Sequence, residues 1–272
     1  MTSSPADRDS HWDEATWDKA TAVLQRYFQV RTDVNDCAIA AGRAADDVHI
    51  LPVSKTVPAE ILQAVLQQIR QLDEQESELY AAAKRDFSWL GENRVQAVAA
   101  NAEAFAEAQV APPQWSVIGP LQTNKATLLV DHASEFQALD RIKVARALQR
   151  RLKDTEHTLP VYLQVNTSGE EQKSGIAPAE VPEFVVELQS GEFPNLQLAG
   201  FMTMAMISDG TTAGDEAVRN CFEQLRALRD TVDKQLELSM GMSGDYPAAI
   251  AAGATVVRIG STIFGKRITK TK

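Results

Sequence analysis

Between residues 48 and 259 short apolar runs alternate with stretches of helical period. The runs are 48–53, 87–90, 115–118, 135–139, 161–165, 198–202, 236–239 and 255–259. Short continuous apolar runs suit strands buried on both faces, as parallel sheets require. Helical patterns fill the intervals at 58–84, 93–109, 121–130, 140–153, 178–190, 212–233 and 245–252, and another covers 12–41, ended by Gly42. Eight strands joined through helices and short loops predict an α/β fold, a single (β/α)8 TIM-type barrel with an extra N-terminal helix. A doubly wound open sheet has the same alternation, and strand count alone does not exclude it. The 272 residues match the roughly 250 that one such barrel takes. With no Gly/Ser-rich linker or shift in composition, the expected organisation is a disordered N-terminus over 1–11 and one domain over 12–272.

Two segments strain the pattern. The run 135–139, Glu-Phe-Gln-Ala-Leu, is the weakest strand because it carries polar residues. The stretch 67–86 is highly polar and makes the helix at 58–84 about 40 Å long at 1.5 Å per residue, more than a barrel needs. It reads as an outward extension of the first barrel helix, with a solvated extension or a helix-turn-helix insertion as its plain explanations.

Composition removes several classes of function. With 27 basic and 37 acidic residues the net charge is −10, which argues against nucleic acid or an anionic membrane as partner. No apolar run approaches the roughly 20 residues a membrane helix needs. The start, Met1 to Ser10, has no apolar signal-peptide core. Cys37 and Cys221 are far apart and read as thiols of a reducing compartment. The four histidines lack metal-ligand spacing. A cytoplasmic location follows as an expectation.

Chemistry gathers where strands end. Lys55 follows the first apolar run, just before the helix that Pro58 opens. In parallel α/β folds this face carries the active site. A partly desolvated lysine there can react with an aldehyde, although the segment by itself also fits a surface lysine. Ser243-Gly244 and Gly260-Ser261-Thr262 follow the seventh and eighth runs. Small residues at helix starts let a phosphate reach free backbone N–H groups, and barrels often hold phosphate after strands seven and eight. Either turn alone would be an ordinary helix cap. Arg258 lies inside the eighth run, where an arginine is costly unless paired or facing a ligand. A phosphate site, an aldehyde-reactive lysine and an arginine at one barrel mouth suggest pyridoxal 5′-phosphate.

The chain resembles the pyridoxal phosphate homeostasis protein family. The resemblance rests on Val53-Ser54-Lys55-Thr56, Gly91-Glu92-Asn93-Arg94-Val95-Gln96, Ile118 through Lys125, Gln164-Val165-Asn166 with Lys173-Ser174-Gly175, Leu238 through Ser243, and Val257 through Ser261 with Phe264-Gly265. That family is similar to the barrel domain of fold-type III alanine racemase. The resemblance implies a Schiff base on Lys55, Arg258 at the pyridine nitrogen, phosphate held by Ser243, Gly260 and Ser261, and Asn93 near the cofactor. Ser116 departs from the family's usual His, and Ala97 from its usual Glu.

The function so implied is cofactor binding and intracellular homeostasis, by buffering or delivery. An arginine at the ring nitrogen disfavours a proton there and makes the ring a poorer electron sink. The chain's end soon after the eighth run leads to the expectation of an open mouth without an opposing base, and so of no robust catalysis. An amino-acid racemase or other fold-type III enzyme of weak activity is the second reading, and a Schiff-base aldolase acting on a sugar phosphate the third. The expected partners are the small cofactor and pyridoxal phosphate-dependent apoenzymes, with the protein itself a monomer.

Overall fold

The computed structural model describes residues 12–170 and 172–265; the expectation for 1–11 lies outside them. Helix α1 (Glu14–Ala40) precedes eight strands: β1 (His49–Pro52), β2 (Trp89–Glu92), β3 (Gln114–Val117), β4 (Glu135–Leu139), β5 (Leu159–Gln164), β6 (Leu196–Met202), β7 (Glu237–Ser239) and β8 (Val256–Ile259). Between and after them run α2 (Ala59–Arg70), α3 (Glu78–Asp86), α4 (Val95–Glu107), α5 (Ala126–His132), α6 (Ile142–Leu152), α7 (Val181–Leu188), α8 (Thr212–Val232), α9 (Tyr246–Ala251) and α10 (Ser261–Phe264).

All strand pairs are parallel, in the order β1-β8-β7-β6-β5-β4-β3-β2. The two outer strands meet through a bridge between Val53 and Gly91, and the Ser54 N–H donates to the Gly91 carbonyl at 2.9 Å. That contact closes the sheet into the expected barrel and excludes the open-sheet alternative.

Local chemistry sets the helix ends. The Asp13 side chain accepts from the Thr16 N–H at 2.7 Å and starts α1. Gly42, at φ +73°, stops it by returning the Arg43 N–H to the Ala38 carbonyl. The single helix expected over 58–84 is two. Asp73 accepts from the Gln75 N–H at 2.9 Å and Ser77 caps α3 through the Leu79 N–H. These side chains satisfy backbone donors that a continuous helix would need, so the polar stretch folds back as a helix-turn-helix.

The second strand also shifts. Phe87, expected to open it, is the C-cap of α3 and packs edge-on against Tyr27. Gly91 and Glu92 are therefore strand residues rather than loop residues. The polar run β4 is a full strand, buried at all five positions, because Glu135 and Gln137 find partners inside the barrel.

Helix α1 is fixed by charge as well as by its apolar face. Arg31, fully buried, donates to the Val48 and Ala45 carbonyls and pairs with Asp86 at 3.4 Å. Asp86 also accepts from the Tyr27 hydroxyl at 2.8 Å. Cys221 is buried and Cys37 partly buried, both as free thiols. Among the described residues no helix is long and apolar enough to cross a membrane, and no cluster could hold a metal ion.

Candidate functional site

A cavity of about 950 Å³ opens at the carboxyl ends of the strands. Lys55, Asn93, Ser243, Arg258, Gly260 and Ser261, all six residues singled out from the sequence, line it together. They come from the ends of four strands, β1, β2, β7 and β8, and the barrel alone brings them together.

Lys55 leaves β1 through a tight turn in which the Val57 N–H returns to the Ser54 carbonyl at 2.9 Å. Thr56 takes φ +68°, a left-handed conformation that a β-branched residue rarely adopts. Such strain persists only where surrounding structure holds it. Here it turns the chain so that Lys55 faces the cavity. Lys55 makes no hydrogen bond or ion pair among the described residues. Beside it the buried Glu92 accepts from the Ser54 hydroxyl at 2.8 Å. Burial holds the Glu92 carboxyl above its ordinary value; the Ser54 hydrogen bond and the Lys55 charge act the other way.

Asn93 follows directly and is held by a close approach. A Cβ at Gly119 would collide with the Asn93 carbonyl and side chain, so the two loops can pack this tightly only with glycine at 119.

On the far wall the N–H groups of Ser243, Gly244 and Ser261 have no acceptor among the described residues. The turn at Ser243 is set by Asp245, whose carboxylate accepts from the Met242 N–H at 2.6 Å. A Cβ at Gly244 would meet nothing within 4 Å, so this edge of the cavity is open. A Cβ at Gly260 would lie 3.1 Å from the Val53 carbonyl oxygen, so that glycine also serves the β1–β8 contact.

Arg258 is buried in the cavity floor. Its guanidinium donates to the Ser239 hydroxyl at 2.8 Å and to the Thr203 carbonyl at 2.7 Å. Burial pulls its pKa down to about 10, which leaves it cationic at neutral pH. Among the described residues no carboxylate lies within ion-pair distance of it.

The sequence did not reveal that α1 closes one side of the cavity. Lys19 and Arg26 line it, and Arg26 donates to the Ile263 carbonyl at 2.7 Å. The 12–41 periodicity gave the helix but not the neighbour it packs on. Lys173, in a family motif, turns away: it pairs with Glu170 and donates to the Ala205 carbonyl.

These residues fit a phosphorylated aldehyde: free amides for the phosphate, an unpaired amine for the carbonyl carbon, and a cation in the floor. The alanine racemase N-terminal domain family model matches residues 59–267. A pyridoxal phosphate homeostasis protein of Vibrio alginolyticus is 40% identical over 245 residues, 88% of this chain and 93% of that protein. One from Escherichia coli K12 is 34% identical, over 90% of this chain and 97% of that protein. The structure of PipY from Synechococcus elongatus PCC7942 with PLP bound matches at TM-score 0.65 and 28% identity, over 89% of this chain and all of that one. An alanine racemase from Corynebacterium glutamicum matches at TM-score 0.57 over 93% of this chain and 64% of that one, and at 13% identity the likeness is one of fold. Sharing these motifs over nearly its whole length, the chain belongs to the pyridoxal phosphate homeostasis protein family.

Proposed function

We propose that this protein binds pyridoxal 5′-phosphate and serves its intracellular homeostasis. The observation that carries the reading is the meeting, in one cavity, of the unpaired Lys55 with the free amides of Ser243, Gly244 and Ser261. When bound, the cofactor supplies an aldehyde that a primary amine can capture reversibly. Lys55 is the amine placed to hold it as a Schiff base. The two turns bind the phosphate through their free N–H groups. Arg258 would face the ring nitrogen of the bound cofactor and disfavour a proton there, and Asn93 would border the ring.

Carrying fits these residues better than turnover. Among the described residues lining the cavity there is no histidine, tyrosine or cysteine. Glu60 is the only carboxylate among them. General acid–base catalysis needs a group placed to take a proton and hand it on. Here Lys55 is itself committed to the cofactor, and Lys19, the other amine in the lining, sits exposed on α1. The protein then buffers the free cofactor and releases it to apoenzymes.

The test is to incubate cofactor-loaded protein with each common amino acid and separate enantiomers and products. No turnover above background is expected. A Lys55-dependent rate in the usual enzyme range of about 1–10³ s⁻¹ would favour the racemase-like reading.

A further inference from the structure

The barrel interior carries a line of hydrogen bonds from Arg258 to the opposite end of the sheet. Arg258 Nη1 donates to Ser239 Oγ at 2.8 Å, Ser239 Oγ donates to Gln137 Oε1 at 2.6 Å, and Gln137 Nε2 donates to Glu135 Oε1 at 2.6 Å. The four residues come from β8, β7 and β4 and are all buried. Ser116 donates to the same Glu135 oxygen at 2.6 Å. Beside Glu135, the Tyr162 hydroxyl donates to Glu237 at 2.5 Å, and Gly200 leaves the room that the Tyr162 ring needs.

The ends of the line force its direction. A guanidinium has donors and no acceptor. Ser239 Oγ must therefore accept from Arg258 and send its own proton onward. Gln137 must turn its carbonyl to Ser239, which leaves its amide pointing at Glu135. Glu135 fixes that amide by accepting from it. Each link thus has one allowed orientation, and the guanidinium plane at the far end inherits it. Thr203 supplies the second fixed contact, so two acceptors define the plane. The reason a run as polar as Glu135-Phe136-Gln137 sits in a fully buried strand is then functional: it furnishes the far half of the line.

We propose that Gln137 and Glu135 are positioning residues for Arg258, orienting its guanidinium toward the ring of the bound cofactor through Ser239. The proposal rests on the reading that this cavity takes pyridoxal phosphate with its ring at Arg258. What Glu135 contributes is an acceptor oxygen in a fixed place, which glutamine can also supply.

Two readouts separate the proposal from that reading. In cofactor-free protein, nitrogen-15 NMR follows the Arg258 side-chain signals, assigned by their loss in Arg258→Lys. With added pyridoxal phosphate, absorption and fluorescence give the band position and Kd. Gln137→Met, close in volume, is expected to average the Arg258 Nη signals, move the cofactor band and raise Kd about tenfold, the scale of one lost hydrogen bond to a charged group. Glu135→Leu is expected to do the same, and Glu135→Gln to restore parental values. Ser239→Ala removes the middle link with little change of shape and serves if either larger change prevents folding. Gln149→Ala breaks a partly buried pair with Asn195 outside the barrel and should move neither readout. Parental Arg258 signals in folded Gln137→Met, or equal shifts in Gln149→Ala, would overturn the proposal. If the NMR changes appear while the parent binds no cofactor, the positioning stands and the cofactor reading falls.

Discussion

Ser54 and Glu92 meet beside Lys55: the serine hydroxyl donates to Glu92 Oε1 at 2.8 Å, tying the end of the first strand to the end of the second. The same serine makes the barrel's closing hydrogen bond, its N–H donating to the Gly91 carbonyl at 2.9 Å. One residue therefore joins the seam of the sheet to the turn that carries Lys55. Ser54→Ala should cost about 1.5–3 kcal/mol, the range for a hydrogen bond to a charged acceptor. Urea unfolding of the cofactor-free protein measures it.

The phosphate wall offers two glycines with different surroundings. A Cβ at Gly260 presses on β1, so Gly260→Val would disturb the strand as well as any ligand. Gly244 faces open space. Gly244→Ala should therefore leave the melting temperature unchanged and still weaken pyridoxal phosphate binding, measured by calorimetry. Ser261→Ala keeps its N–H and should weaken binding less than Gly260→Val does.

The pairing of Arg31 with Asp86 holds α1 against the barrel. Neither side chain is exposed to solvent. Removing one partner of a buried pair costs about 3–5 kcal/mol where the other charge is left uncompensated, but Arg85 still pairs with Asp86 at 3.3 Å. Arg31→Met should therefore lose less than that range in chemical denaturation, and Arg31→Met combined with Arg85→Met should lose more. Because α1 lines the cavity, its fraying at lower denaturant should appear first in the fluorescence of Trp12 and Trp17.

Several carboxyls are held above their ordinary range by burial, Glu135 and Glu92 among them. The folded state then binds more protons than the unfolded one between the two pKa values, so stability falls as pH rises through that interval. For Glu135 the interval starts at the ordinary 4.5 and runs up to the raised folded value. Below it the group has no effect on stability; above it the full penalty is present. Glu135→Gln should flatten the stability profile in that interval and stabilise the protein at neutral pH. Denaturant melts from pH 4 to pH 8 test this, and a parental slope would remove Glu135 as its source.

Much of this was legible before folding. Short apolar runs and their helical spacers gave eight strands, and the motifs at their ends gave six of the residues that line the cavity. Their meeting follows from barrel geometry, which places every strand's carboxyl end on one face. Four features were not legible. Asp73 and Ser77 broke the helix expected over 58–84, because capping side chains compete with helix continuation only when the turn they close is known. Phe87 left the second strand for a helix cap because its ring packs on Tyr27, far away in sequence. The polarity of Glu135 and Gln137 reads as a defect in a strand because sequence does not show their partners, Ser116 on the neighbouring strand β3 and Ser239 across the barrel on β7. Lys19 escaped notice for a similar reason, since helical periodicity does not say what a helix covers.

The attachment of the cofactor at Lys55 is the central claim, and borohydride reduction with peptide mapping tests it most directly. Loaded protein is reduced, digested and examined by mass spectrometry. The account predicts one reduced phosphopyridoxyl adduct, on the peptide carrying Lys55, and none in Lys55→Ala. Lys19 is the competing amine, exposed on α1 and lining the same cavity. An adduct on Lys19 that persists in Lys55→Ala would contradict the account.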